Sequence, residues 1–196
     1  MLFYPSEAKI PKEFRTEEFI LRPLRATDVE LDYDAVVTSR DMLRVWGQGD
    51  WPSDNFSLQD NLEDLEWHEK EHLEGKAFTF TVMNLTETKC LGCVYINPLL
   101  EILKHMKASD ATMGTVGNYE SCVNFWVRQS LLADGLESHL LESLITWFKQ
   151  DWKFSGIFFM VNTQDIRQVN LFETADLKRV YTLDLPDSEV KQLIYQ

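Results

Sequence analysis

Apolar residues recur at intervals that change along the chain, and the changes mark its elements. Glu18–Leu24 (EFILRPL) reads as a strand running into a turn at Pro23. Thr27-Asp28 then offers an N-cap to a helix with Val29, Tyr33, Val36 and Val37 at helical spacing. A loop rich in Gly, Asp and Trp follows from Trp46 to Asn55, and Ser57 caps an acidic helix that reaches about Glu74 and stops at Gly75. Leu58, Leu62 and Leu65 form its expected inner face. Phe78, Phe80 and Val82 alternate on one strand, Asn84–Lys89 turns, and LGCVYINP returns, which predicts an antiparallel hairpin. Leu99–Asn118, with Gly114 and Gly117, reads as an irregular connection. Ser121–Arg128 (SCVNFWVR) is an apolar strand, and Leu136, Leu140, Leu141, Leu144, Ile145 and Phe148 mark the clearest amphipathic helix. A buried strand at Gly156–Val161, a helix at Asp165–Ala175 and one or two closing strands in the tail complete the order. Neither an internal repeat nor a low-complexity segment interrupts it.

With 196 residues, this order predicts one α/β (α+β) domain spanning 1–196, a mixed, largely antiparallel sheet flanked by helices. No apolar run is long enough to span a membrane, and the first residues lack a secretory pattern, so a cytoplasmic protein is expected. On that expectation Asn55 and Asn84 are not glycosylation acceptors despite their N-x-[ST] context. The formal charge of −13 disfavours nucleic acid and suits a small cationic ligand. Cys90, Cys93 and Cys122 do not make a disulfide framework. Cys90 and Cys93 lie in a strand-like run, where residues three apart are expected on opposite faces.

The segment WHEKEHLEGKAF contains His68-Glu69-x-x-His72, a zinc-protease signature, with Gly75 where its extended form has a glycine. The next ligand position is Phe78, which belongs to a strand alternation, and six carboxylates make the helix read as a solvated one. Catalytic zinc needs a third protein ligand, so no metal is expected.

The stretch FWVRQSLLADGLESHLLESLITWF, Phe125–Phe148, resembles the acetyl-CoA-binding core of the GNAT superfamily of N-acetyltransferases. QVNLFETADLKRV resembles the family's last helix and following strand, and FILRPLRATDVELDYDAV resembles its first strand and helix. The order spans nearly the whole chain. The resemblance implies a GNAT-like fold, acetyl-CoA as cosubstrate, and direct attack of a primary amine, in a small molecule or a peptide N-terminus, on the thioester. It places cosubstrate contacts at Val127, Arg128, Ala133, Asp134, Gly135, Leu136, Ser138 and Phe172. Physical reasoning agrees for the loop: amides left unpaired at a helix N-terminus, with its dipole, suit a diphosphate. The chain departs from the family pattern at Leu132, at Glu137 where a small residue is usual, at Phe172 where a tyrosine is usual, and at Asp176. Those departures sustain an alternative, a non-catalytic GNAT-like module.

For an enzyme, the amine must lose a proton before attack. Glu120, on the strand before the loop, is the candidate base, and a backbone N–H at Trp126 or Val127 the candidate oxyanion donor. The acceptor is expected over Trp46, Trp51 and Tyr95, with Asp50 as counter-charge. A homodimer is compatible with the sequence and is not decided by it.

Overall fold

A computed structural model describes residues 3–184 and 189–196. One eight-stranded sheet runs in the order β1 (Phe14–Arg15), β2 (Phe19–Pro23), β3 (Phe78–Asn84), β4 (Cys90–Pro98), β5 (Glu120–Val127), β6 (Gly156–Asn162), β8 (Lys191–Tyr195), β7 (Arg179–Asp184). Every neighbouring pair is antiparallel except β5 and β6, which are parallel. That single parallel step follows from the connection, because helix α6 (Leu136–Asp151) carries the chain back to the start of β6.

Helices cover both faces. On one, α6 buries Leu136, Leu140, Leu141, Leu144, Trp147 and Phe148, spaced three and four apart, against Phe80, Val123 and Phe125. α7 (Ile166–Thr174) joins this layer through Phe172. On the other face α1 (Val29–Val37), α2 (Arg40–Gly47) and α3 (Leu58–Glu74) pack around Met83, Cys90, Cys93 and Trp126. Beyond them α4 (Leu99–His105) seats Leu99 and Leu103 against Cys122, Phe158 and Ile194. The stretch read as irregular thus contains α4 and the short α5 (Asp110–Met113). Among the described residues no helix is long and apolar enough to cross a membrane.

Local chemistry sets the boundaries. Ser57 and Asp60 form a reciprocal capping box at the start of α3, and Gly75 ends it with φ 67°, a left-handed conformation that glycine adopts without penalty. On α3 the buried positions are Asn61 and Leu65, while Leu58 is exposed. Asp28 does not cap α1 with its side chain: both carboxylate oxygens accept from Arg22, at 2.6 and 2.9 Å.

The two cysteines of β4 share a face, contrary to strand alternation. Val82 pairs with Gly92 but Met83 pairs with Cys90, so Leu91 is an inserted residue. Such a bulge shifts the side-chain alternation by one and puts Cys90 and Cys93 in one cluster. Gly92 is required beside it, because a Cβ there would collide with the Trp126 carbonyl oxygen.

Candidate active site

The centre of the sheet opens. β5 and β6 pair from Glu120–Gly156 to Val123–Phe159, and their pairing ends there. Beyond that point side chains bridge the strands: Asn124 Nδ2 donates to Met160 O at 3.1 Å, and Gln168 Nε2, from α7, donates to Phe125 O at 3.1 Å. The Arg128 amide donates to Leu91 O on β4. Successive amides of a strand alternate, so the Trp126 amide also faces β4 while those of Phe125 and Val127 face the gap.

On the α1–α3 side the gap meets a cavity of about 610 Å³. Trp46, Trp51 and Tyr95 supply its aromatic surface, and Asp32, Asp64 and His68 its titratable groups. Gln168 of α7, in the opposite layer, also lines it, so the cavity reaches into the gap. Asp32 is 5 % exposed and has no cationic partner among the described residues; Asn61 Nδ2 donates to it at 3.1 Å, and the Cys90 thiol lies 3.8 Å away. Burial pushes its carboxyl up to about 6. Burial likewise raises Asp64, which shares a hydrogen bond with the Trp51 indole, and lowers His68 to about 4, so His68 is neutral at physiological pH. The Tyr95 hydroxyl accepts from Trp126 Nε1 at 3.3 Å, and its ring lies 5.1 Å from that of His68.

On the α6 side the gap faces the loop after β5. Gly135 takes φ 78°, with open space where a side chain would start, and no side chain caps α6. The first amides of α6 have no intrahelical acceptor, which leaves a helix end with free donors, of the kind that suits an anion, beside exposed Ala133, Asp134 and Ser138. Between loop and gap sits Glu137, 6 % exposed, in an ion pair with Arg167 and accepting from Gln168 Nε2 at 3.2 Å. Burial raises its carboxyl and Arg167 opposes the rise. Gln168 therefore donates to both Glu137 and Phe125 O and ties the start of α6 to the open edge of β5.

No protein-family model matches the chain, and a search of curated proteins finds no match. Solved structures do match it. RimL, a ribosomal L7/L12 alpha-N-protein acetyltransferase in complex with coenzyme A, superposes with a TM-score of 0.67 at 14 % identity, covering 94 % of this chain and 96 % of that one. A ribosomal-protein-S5-alanine acetyltransferase from Vibrio fischeri gives 0.67 at 12 %, covering 94 % and 95 %. The microcin C7 self-immunity acetyltransferase MccE, in complex with acetyl-CoA and AMP, gives 0.67 at 14 %, covering 92 % of each chain. The chain has the GNAT fold.

Within this GNAT fold the residues singled out from sequence separate into those at the gap and those held elsewhere. Trp46, Trp51 and Tyr95 line the cavity; Asp50 lines a shallower neighbouring hollow instead, and the carboxylates inside are Asp32 and Asp64. Val127 presents its amide to the gap. Trp126 does not, because its amide faces β4 and its indole anchors Tyr95. Glu120 is no base for this cavity. It stands at the closed end of the β5–β6 pairing and accepts from the Gly117 amide at 3.0 Å, four residues short of Asn124, or about 13 Å along the strand. Arg128 is turned away from the loop: its guanidinium, 4 % exposed at the residue level, donates to Cys90 O, Thr38 Oγ1 and Asp34 Oδ2 and clamps α1 to the sheet. Phe172 is fully buried against Phe125, Phe159 and Tyr195, with no surface for a ligand. Ala133, Asp134, Gly135, the Leu136 amide and Ser138 remain at the helix end.

His68 and His72 face the protein rather than solvent. Thr79 N donates to His72 Nδ1 at 3.2 Å, and His68 borders the cavity. Asp32, Asp64 and Gln168 were not singled out from sequence. Asp32 had one signal, a carboxylate among the inward positions of an amphipathic helix, where a solvated residue is not expected.

Whether coenzyme A suits these residues is decided at the gap and the helix end. The uncapped α6 terminus and left-handed Gly135 fit a diphosphate, and the Phe125 and Val127 amides fit a carbonyl group drawn along β5. Gln168 and Glu137 occupy the same passage, so the fit requires both side chains to turn.

Proposed function

We propose that the protein acts, as a single cytoplasmic domain, as an N-acetyltransferase carrying an acetyl group from acetyl-CoA to a primary amine. The observation that carries this reading is the unpaired edge of β5. It joins a half-apolar, acidic cavity on one side of the sheet to an anion-binding helix end on the other. When bound, acetyl-CoA supplies the acetyl group as an activated thioester. The α6 amides with Gly135 hold the diphosphate, and the Phe125 or Val127 amide donates to the developing oxyanion, which keeps Val127 and drops Trp126 of the two donors expected from sequence. Trp46, Trp51 and Tyr95 exclude water around the amine. The buried free thiols of Cys90, Cys93 and Cys122 agree with a reducing compartment. The names of the neighbours, enzymes of ribosomal-protein N-termini among them, make a peptide α-amine one acceptor to try beside small amines.

The test is release of free coenzyme A thiol from acetyl-CoA across a panel of small amines and N-terminal peptides. Turnover with at least one class is expected. A second reading, a binding module without turnover, is favoured by one observation: Gln168 and Glu137 fill the passage. Thermal stabilisation by acetyl-CoA with no thiol release across the panel would select it, and the absence of any stabilisation would remove acetyl-CoA from both readings.

A further inference from the structure

We infer that Asp32 is the counter-charge that receives the ammonium group of the acceptor in the cavity, and the group to which that ammonium passes its proton. This rests on the cavity being the acceptor site, and it names a residue the reaction otherwise lacks, since Glu120 is held at the wrong end of β5.

Four observations converge on it. Asp32 borders the cavity and is nearly inaccessible, yet among the described residues no cation pairs with it: Arg22 is committed to Asp28 and Glu87, and Arg128 to Asp34. A buried carboxylate that is not ion-paired is costly and is retained where a partner arrives from outside. Asn61, itself 1 % exposed, donates to Asp32 and to nothing else except Val29 O at 3.3 Å, so the carboxylate is held in one orientation by α3. Trp46, Trp51 and Tyr95 line the same cavity and bring aromatic surface, which attracts a cation, to the site Asp32 borders.

The proton step balances within the pair. An ammonium R–NH3+ against Asp32–COO− becomes R–NH2 against Asp32–COOH, one N–H bond broken and one O–H bond formed, with no change in net charge. Burial favours the neutral pair from both sides, raising the acid and lowering the ammonium. The groups facing Asp32 do not supply a competing cation: from α3 come Asp64 and neutral His68, from β4 the thiols Cys90 and Cys93 and the Tyr95 hydroxyl, all held protonated by burial, and Asp28 is neutralised by Arg22.

Binding of n-butylammonium and of its neutral isostere n-butanol, measured by titration calorimetry without acetyl-CoA, tests the site independently of turnover. The wild type is expected to bind n-butylammonium at about pH 8 and to lose roughly tenfold or more in Asp32→Asn, the scale of one buried charge-assisted contact. Wild-type binding should also fall as pH drops through about 6, where Asp32 takes up a proton while the ligand stays charged. Asp50→Asn, outside the cavity, and n-butanol should show neither effect. Equal binding in wild type and Asp32→Asn, binding that ignores pH, or no n-butylammonium binding by the wild type overturns the proposal; the pH arm decides if the variant does not fold. Thiol release separates the two readings: Asp32-dependent binding with no turnover sinks acyl transfer and keeps the ammonium site, whereas turnover undiminished in Asp32→Asn sinks the proton role alone.

Discussion

A residue kept for ligand binding at the expense of the fold should stabilise the protein when it is neutralised, and Asp32 allows the size of that gain to be worked out. Its carboxyl stands at about 6 against an ordinary 3.8, with burial as the main cause and the Asn61 and Cys90 contacts only partly compensating. A folded-state value above the unfolded one means that the native state binds the proton more tightly. The favourable contribution is therefore complete below about 3.8 and is lost as pH rises through about 6. Above that window the ionised group costs the fold about 3 kcal/mol, taking each pH unit as about 1.4 kcal/mol. Asp32→Asn removes the charge and keeps an oxygen for Asn61. Urea unfolding near pH 8 should show the variant more stable by about 2–3 kcal/mol, a midpoint higher by about 1–2 M, with the gain roughly halved near pH 5. A variant equally or less stable than the wild type near pH 8 would refute the reasoning. Asp32 would then be a structural acceptor whose hydrogen bonds outweigh its desolvation.

The other expectations concern the groups around the gap. Arg128→Met should lose about 1–3 kcal/mol of stability by leaving the buried Cys90 carbonyl without its donor, since Asp34 is exposed and stays solvated, read as a lower urea midpoint, with acetyl-CoA affinity of the folded protein unchanged; a selective loss of affinity instead would return Arg128 to the cosubstrate site. Gln168→Ala removes the donor to Phe125 O and Glu137, two bonds together worth about 2–4 kcal/mol, and should tighten acetyl-CoA binding by tens of fold in a calorimetric titration, because the closed passage no longer taxes it. Weaker binding in that variant would show that Gln168 contacts the ligand rather than excluding it.

Periodicity exposed most of the fold because most elements obey one rule at a time. The α6 stripe, the β3 alternation and the Ser57 and Gly75 boundaries of α3 each follow from local chemistry that the structure repeats. Where two rules meet, periodicity alone misplaces a side chain or hides an element. β4 carries an inserted Leu91, invisible to an alternation argument because LGCV is apolar on both faces, and it reverses which side Cys90 presents. The 99–118 stretch hides α4 because its polar residues and the glycines at 114 and 117 outweigh the short run of leucines that docks on Cys122 and Phe158. α2 was masked in the same way by the Trp- and Gly-rich segment into which it runs.

The site was less legible than the fold, for a reason that lies in geometry rather than in residue type. Carboxylates are common in so acidic a chain, and a place on the inward stripe of α1 is the one local sign that separates Asp32 from Asp34 two residues on. The difference is that one faces a cavity built by β4, β5 and α3 while the other pairs with Arg128. Glu137 was legible as an anomaly, a charge where the loop pattern has a small residue, but its consequence was not. Its carboxylate is not turned outward. It is tied through Gln168 to the strand edge on which the thioester would lie, so the position that would weaken a diphosphate site is the same one that closes the passage. An anion arriving at the α6 terminus faces Glu137 as a like charge, and displacing that carboxylate removes one of the two acceptors that hold Gln168 across the gap. On the proposed function, occupation of the helix end and opening of the strand edge would be coupled through one amide side chain.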